Sequence, residues 1–161
     1  GAIYRYKFGP RGDKPAVKVT WYDGGLRPAS PDELAPGERL EGGGNGIIFL
    51  GEKGVISCAG WGGSPQIIPY SQMDAYKRPA KTIPRCKGHH RDWLEACKGG
   101  KPASGNFEYG ARLTEIVLLG NVALRSRKKI EWDAANLKAK NAPEADKLIK
   151  EQYRSGWEIP G

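Results

Sequence analysis

"IYRYKFGPRGDKPAVKVTWY", residues 3–22, sets the class of the fold. Its first part alternates aromatic with basic residues, which puts Tyr4, Tyr6 and Phe8 on one side and Arg5 and Lys7 on the other. Past the turn-forming GPRGDKP, the alternation resumes with Val17, Val19 and Trp21 against Lys18, Thr20 and Tyr22. A period of two on both sides of a Gly/Pro turn predicts an antiparallel hairpin with one packed face.

Working outward, "GIIFL", "GEKG" and "VISC" (46–58) predict a second hairpin, with glycines bracketing a tight connection. A long Gly/Pro-rich loop separates the two hairpins. "PQIIPY" (65–70) reads as a short edge strand, because prolines bound it. The following "SQMDAYKRPAKTIPR" reads as irregular. The second half turns helical. Residues 88–98 predict a short helix stopped by Gly99 and Gly100. Residues 111–127 predict a longer one. There Leu113, Ile116, Val117, Gly120 and Leu124 keep the helical period, and Leu118, Leu119, Val122 and Ala123 widen the stripe, so burial on more than one side is expected. "KKIEWD" predicts a strand. Pro143 opens a third helix with Ala145, Leu148, Ile149 and Tyr153 on its apolar face, ended by Gly156. Strands first and helices later predict an α+β domain over residues 1–161: an open, mostly antiparallel sheet with helices packed on one face.

The chain has 161 residues and a formal net charge of +8. Lys and Arg are spread along its length, and no nucleic-acid module signature accompanies them, so nucleic acid is not the expected partner. The longest nearly apolar run, "IVLLGNVAL", is too short to span a bilayer, so no membrane partner is expected. The chain opens at Gly1 directly on a strand pattern and reads as a piece of a longer protein. Localisation, cytoplasmic or periplasmic, stays open.

"RCKGHHRDWLEACKGG" (85–100) gathers His89, His90, Asp92, Cys86 and Cys97. On a helix His90 and Cys97 stand about 10 Å apart along the axis. Zinc donors lie at about 2.0–2.3 Å, so these two cannot share an ion. Adjacent histidines point about 100° apart and rarely chelate together. A Cys86–Cys97 disulfide needs Cα atoms within about 7 Å, which an intervening helix opposes. The expectation is therefore no metal and no disulfide, but a core-facing helix with Trp93, Leu94, Ala96 and Cys97 as its stripe. One histidine remains a candidate substrate contact, at the helix N-terminus. Asp92 with His89 reads as a surface contact rather than a dyad. "GGGNG" (42–46) fits no GxGxxG register and precedes a strand, where a dinucleotide loop follows one.

Four blocks in order, "PAVKVTWYDGGLRP", "GIIFLGEKGVI", "GHHRDWLEACKGGKPASGNFEY" and "LTEIVLLGNVALRSRKKIEWDAANLKAKNAPEADKLIKEQYRSGWE", resemble the C-terminal domain of Gfo/Idh/MocA-type oxidoreductases of the bacterial type. The resemblance implies a dihydrodipicolinate-reductase-like C-terminal domain. Its implied partners are the protein's own N-terminal Rossmann domain, which would hold NAD(P), a sugar-like small molecule, and further copies of the chain joined through the sheet face. It places the family's nucleotide fingerprint, catalytic Lys and Asp/His pair outside this chain; "DKP" (13–15) follows no Rossmann strand and is not the catalytic motif. No catalytic, cofactor-binding or metal residue is therefore assigned, and the chain alone is not expected to be an enzyme. Tyr22, Asp23, Arg27, His89 and His90 are the candidates for a substrate-cleft wall. The polar hairpin face (Arg5, Lys7, Lys18, Thr20, Tyr22) suits a cleft wall or subunit contact. Two other classes stay open: a stand-alone carbohydrate-binding module using exposed aromatics, and a basic nucleic-acid-binding domain.

Overall fold

The alternating stretch at the N-terminus forms the hairpin its period demands. In the computed structural model, which describes residues 1–40 and 44–159, β1 (Ala2–Phe8) pairs antiparallel with β2 (Val17–Asp23). Tyr4 faces Trp21, Tyr6 faces Val19 and Phe8 faces Val17, so the aromatic and aliphatic residues share one face. Arg5–Thr20 and Lys7–Lys18 occupy the other. Arg11 and Lys14 exchange two backbone hydrogen bonds of 3.0 Å at the turn, and Gly12 takes its corner at φ +56°. Only glycine adopts that conformation without steric cost.

β3 (Gly46–Gly51) and β4 (Gly54–Ala59) form the second hairpin, with Glu52 and Lys53 as its loop. β5 (Gln66–Ile68) adds to the β4 edge, bounded by Pro65 and Pro69 as expected. Val55 pairs with Ile68, both 2% exposed, and Ser57 is buried on the same face. The opposite face carries Ile47, Phe49 and Ile56, all exposed. A one-turn helix α1 (Ser71–Ala75) follows β5 in a stretch expected to be irregular. The Tyr70 hydroxyl just before it donates to the Arg39 carbonyl at 3.1 Å, fixing the long loop.

These elements make one compact unit, residues 1–82; residues from 83 onward make a second. The second unit holds α2 (His89–Cys97), α3 (Phe107–Ser126), a small ribbon of β6 (Trp132–Asp133) with β7 (Lys138–Ala139), and a 3₁₀ turn, Pro143–Leu148. α3 begins four residues before the apolar period does. Asn106 caps it, its Oδ1 accepting from the Tyr109 N–H at 3.0 Å. The core here is built from small residues: Val122, Ala139, Ala142 and Ala145 are buried, with Ile130, Leu148 and Ile149 packed against them. Asp146 accepts the Ala139 N–H at 3.0 Å. Asn141 bridges the Lys129 carbonyl and the Glu131 N–H, at 2.8 and 2.7 Å.

The α+β class and the open antiparallel sheets are as read from the sequence, with differences in detail. Among the described residues the strands divide among three sheets instead of one. α3 buries only Gly120 and Val122, while Leu113, Val117, Leu118 and Leu124 stay about half exposed, so the expected burial on more than one side is not found. α2 is not core-facing either: Trp93 is 61% and Leu94 48% exposed. A stripe of apolar residues licenses burial, but only a partner surface supplies it. The third helix stops at Leu148 as a 3₁₀ turn, and Tyr153 lies beyond it, exposed.

Candidate functional site

The candidate residues fall into two groups, one in each unit, and each group is described by itself. Tyr22 and Asp23 end β2, opposite Ile3 and Ala2 respectively. Strand alternation sends them to opposite faces: Tyr22 joins the Arg5, Thr20, Lys7, Lys18 side, and Asp23 the Trp21 side. They therefore do not line one surface of the hairpin together. Asp23 instead opens a turn, its carbonyl accepting the Leu26 N–H at 3.5 Å through Gly24 and Gly25, both at positive φ. The turn delivers Arg27, exposed, to the neighbourhood of β3: a Cβ on Gly44 would lie 3.5 Å from Arg27 Nη2. The Arg27 guanidinium has no ion pair or hydrogen bond among the described residues. Of "GGGNG", residues 42 and 43 lie outside the described residues, and the rest leads into β3 and not into a helix.

In the second unit His89 and His90 are the first two residues of α2, exposed, with ring centroids 4.3 Å apart. Gly88 precedes them at φ +104° and offers no side-chain cap. Asp92, one turn on, does not turn to His89. Its Oδ2 accepts both the N–H and the hydroxyl of Ser104, each at 2.7 Å. Those two bonds hold its carboxyl below the ordinary Asp value, the side-chain bond contributing most. Asp92 thus ties α2 to the loop that leads into α3, a link over twelve residues that helical spacing could not show. Arg91 and Lys87 both reach Glu95, at 3.1 and 3.7 Å.

Cys58, Cys86 and Cys97 are free thiols. Among the described residues no three His, Cys, Asp or Glu side chains gather as a metal site would require, and no helix is long and apolar enough to cross a membrane. Among them no strand–glycine loop–helix unit of the kind that seats a dinucleotide occurs. A notch of about 310 Å³ opens beside α3, walled by Leu118, Leu119, Val122, Leu148 and Ile149, with Glu115 at its edge accepting the Trp132 indole N–H.

The chain exposes 14153 Å². A compact chain of its mass exposes about 7,900 Å², and two fully separate compact halves about 9,500 Å². The surplus is large even if the units share no surface, and large apolar side chains contribute to it: Val17, Val19, Trp21, Ile47 and Phe49 are 40–53% exposed. Val17, Val19 and Trp21 share one strand face, and exposed apolar groups that lie together in this way mark surfaces that meet another molecule.

No curated protein matches the chain. Residues 64–159, well over half of it, match the model of the oxidoreductase family C-terminal alpha/beta domain, while the two N-terminal hairpins up to residue 63 lie outside the match. On that match the chain belongs to the Gfo/Idh/MocA oxidoreductase family, as its C-terminal alpha/beta domain.

Proposed function

We propose that the chain is the substrate-side and oligomer-forming domain of an NAD(P)-dependent oxidoreductase acting on a sugar or sugar-like polyol. The dinucleotide and the hydride chemistry belong to a Rossmann domain of the same protein. The observation that carries the reading is the exposed apolar strand face of Val17, Val19 and Trp21 on a chain of this family. Surface of that kind favours a contact with a neighbouring domain or copy.

The two faces of the first hairpin suit the two parts of that role. Val17, Val19 and Trp21, 40–50% exposed, present the apolar face for association, in place of the polar face on which alternation alone led us to expect a subunit contact. Arg5, Lys7, Lys18 and Thr20 present hydrogen-bonding groups on the opposite face, with Tyr22 half-buried among them. A polyol is bound by such groups, because each hydroxyl needs a donor or acceptor to replace water. Arg27 adds an exposed donor in the same unit, and in the second unit, taken by itself, His89 and His90 are exposed donors of the same kind. None of these is a proton-transfer group for the reaction; they bind and orient.

Turnover by the whole protein tests this. Joined to its dinucleotide-binding domain, the chain should support reduction of NAD⁺ or NADP⁺ by a sugar or polyol, followed by absorbance of the reduced nicotinamide. The chain alone should give no heat on titration with NADH or NADPH. A stoichiometric isotherm with the chain alone, or a whole protein that binds neither dinucleotide, contradicts the reading.

A further inference from the structure

Leu137 holds a backbone conformation that leucine rarely takes, at φ +50°, with its side chain 56% exposed. It lies in the turn between β6 and β7. Asn136, just before it, is tied down: its N–H and its side-chain amide donate to Asp133 Oδ1 and Oδ2, at 3.3 and 3.1 Å. The left-handed region is an outlier for a bulky residue, and glycine or asparagine would occupy it with less strain. Strain of this kind points to a task for the side chain. The Leu137 side chain helps to wall the notch beside α3.

That notch has two unlike ends. Glu115, Leu118, Val122 and Arg125 follow one another at helical spacing on the α3 face that borders it. Its volume, about 310 Å³, falls at the lower end of the range for small-molecule sites. Glu115 stands about 15 Å along the helix axis from Arg125. Its carboxylate is already engaged, accepting the Trp132 indole N–H. Beyond the other end, Lys128 and Lys129 are paired with Glu144 and Glu131. The exposed Arg125 has no carboxylate partner among the described residues, and the Asn121 side-chain amide, also on the notch, has no hydrogen bond among them. The middle of the notch therefore suits hydrocarbon. The Arg125 end suits an anion with planar oxygens, which a guanidinium fork matches through paired N–H bonds.

We infer that the notch binds a small carboxylic acid with an apolar body, its carboxylate on Arg125 and Asn121 and its body against Leu118, Val122 and Leu137. Such a molecule supplies both the negative charge and the apolar surface that the notch leaves unmatched. A neutral hydrocarbon supplies only the second. An apolar side chain from a partner protein would cover the walls and leave Arg125 without a counter-ion. The site lies wholly within the second unit, and the inference goes beyond the polyol reading above without resting on it.

Octanoate is the probe, titrated to millimolar concentration and read by the methyl resonances of the chain. It should shift the methyl signals of Leu118, Val122 and Leu137. Octylamine, of equal length and opposite charge, should bind far more weakly. Arg125→Gln should weaken octanoate about tenfold or more and leave the binding of octanol unchanged, a separation that a misfolded variant would not give. Leu137→Gly should weaken octanoate and octanol alike, yet melt no lower than the wild type, because glycine accepts φ +50° freely. Octylamine binding as well as octanoate, octanoate binding unchanged in Arg125→Gln, or methyl shifts confined to other residues would each overturn the site, as would a wild type that octanoate does not titrate. Self-association of the wild type that Leu137→Gly abolishes would make the notch a contact between copies of the chain and also overturn it.

Discussion

The segment from Lys128 to Ile149 and the first hairpin are both ordered, but by different means. The first is short on regular structure: two two-residue strands and a 3₁₀ turn. Its order comes from alanines that vanish from solvent, Ala142 at 0% and Ala145 at 1%, and from side chains that satisfy the backbone. The hairpin has seven residues in each strand in unbroken register, yet its strongest apolar residues stay half in water. Regular backbone pairing and burial are thus separable. Alternation alone can build a strand pair whose packed face still waits for a partner.

The largest expected effect lies on the small-residue side. Ala142→Asp puts an unpaired charge at a position with no solvent access and should lower unfolding free energy by about 3–5 kcal/mol, read from urea melts. A loss below about 1 kcal/mol would show that this core is not what holds the segment. Next, Asp146→Ala strips the Ala139 N–H of its acceptor and should cost about 2 kcal/mol, while Asp146→Asn keeps an oxygen there and should cost less. Third, Trp21→Ala removes far more atoms than either, yet should cost only about 1–2 kcal/mol, because the side chain is already 50% exposed. This corrects the expectation from alternation alone, which makes Trp21 a core residue. A loss of about 4 kcal/mol in the isolated chain would erase the contrast between the two regions.

The smallest effect is pH-dependent. Asp92 has its carboxyl lowered by Ser104, so its contribution is present above the ordinary Asp value of 3.8 and fades as pH falls through the lowered folded value. Amide exchange at Ser104 should be slowed near neutral pH in the wild type and faster in Asp92→Asn, with the two converging in strong acid. Protection that is independent of pH would remove Asp92 from the link between α2 and the following loop.

Much of this was legible beforehand where a pattern is local. Period two located the first hairpin and set the faces of β1 and β2, bracketing glycines located the second hairpin, and bounding prolines located β5. Gly99 and Gly100 marked the end of α2 to within two residues. The start of α3 was missed because the apolar period begins after its first turn; Asn106, one residue ahead of Phe107, was the available signal. Burial was less legible, since Trp93, Leu94 and Leu124 depend on what lies opposite them and not on their own spacing. Of the candidate site, the sequence could nominate Tyr22 and Asp23, but the pairing that parts them onto opposite faces needed the register. The Asp92–Ser104 tie and the posture of Leu137 rest on loop conformations that no periodicity encodes.

The most direct test of an ordered hairpin that presents its apolar face for association is sedimentation equilibrium of the chain and two neighbouring variants. The wild type should associate with increasing concentration, through a contact burying more than about 1,000 Å². Trp21→Glu, on the apolar face, should weaken that association strongly, and Tyr22→Glu, on the opposite face, only slightly. A wild type that stays monomeric at every concentration, or an association that Tyr22→Glu abolishes and Trp21→Glu leaves intact, would contradict the account.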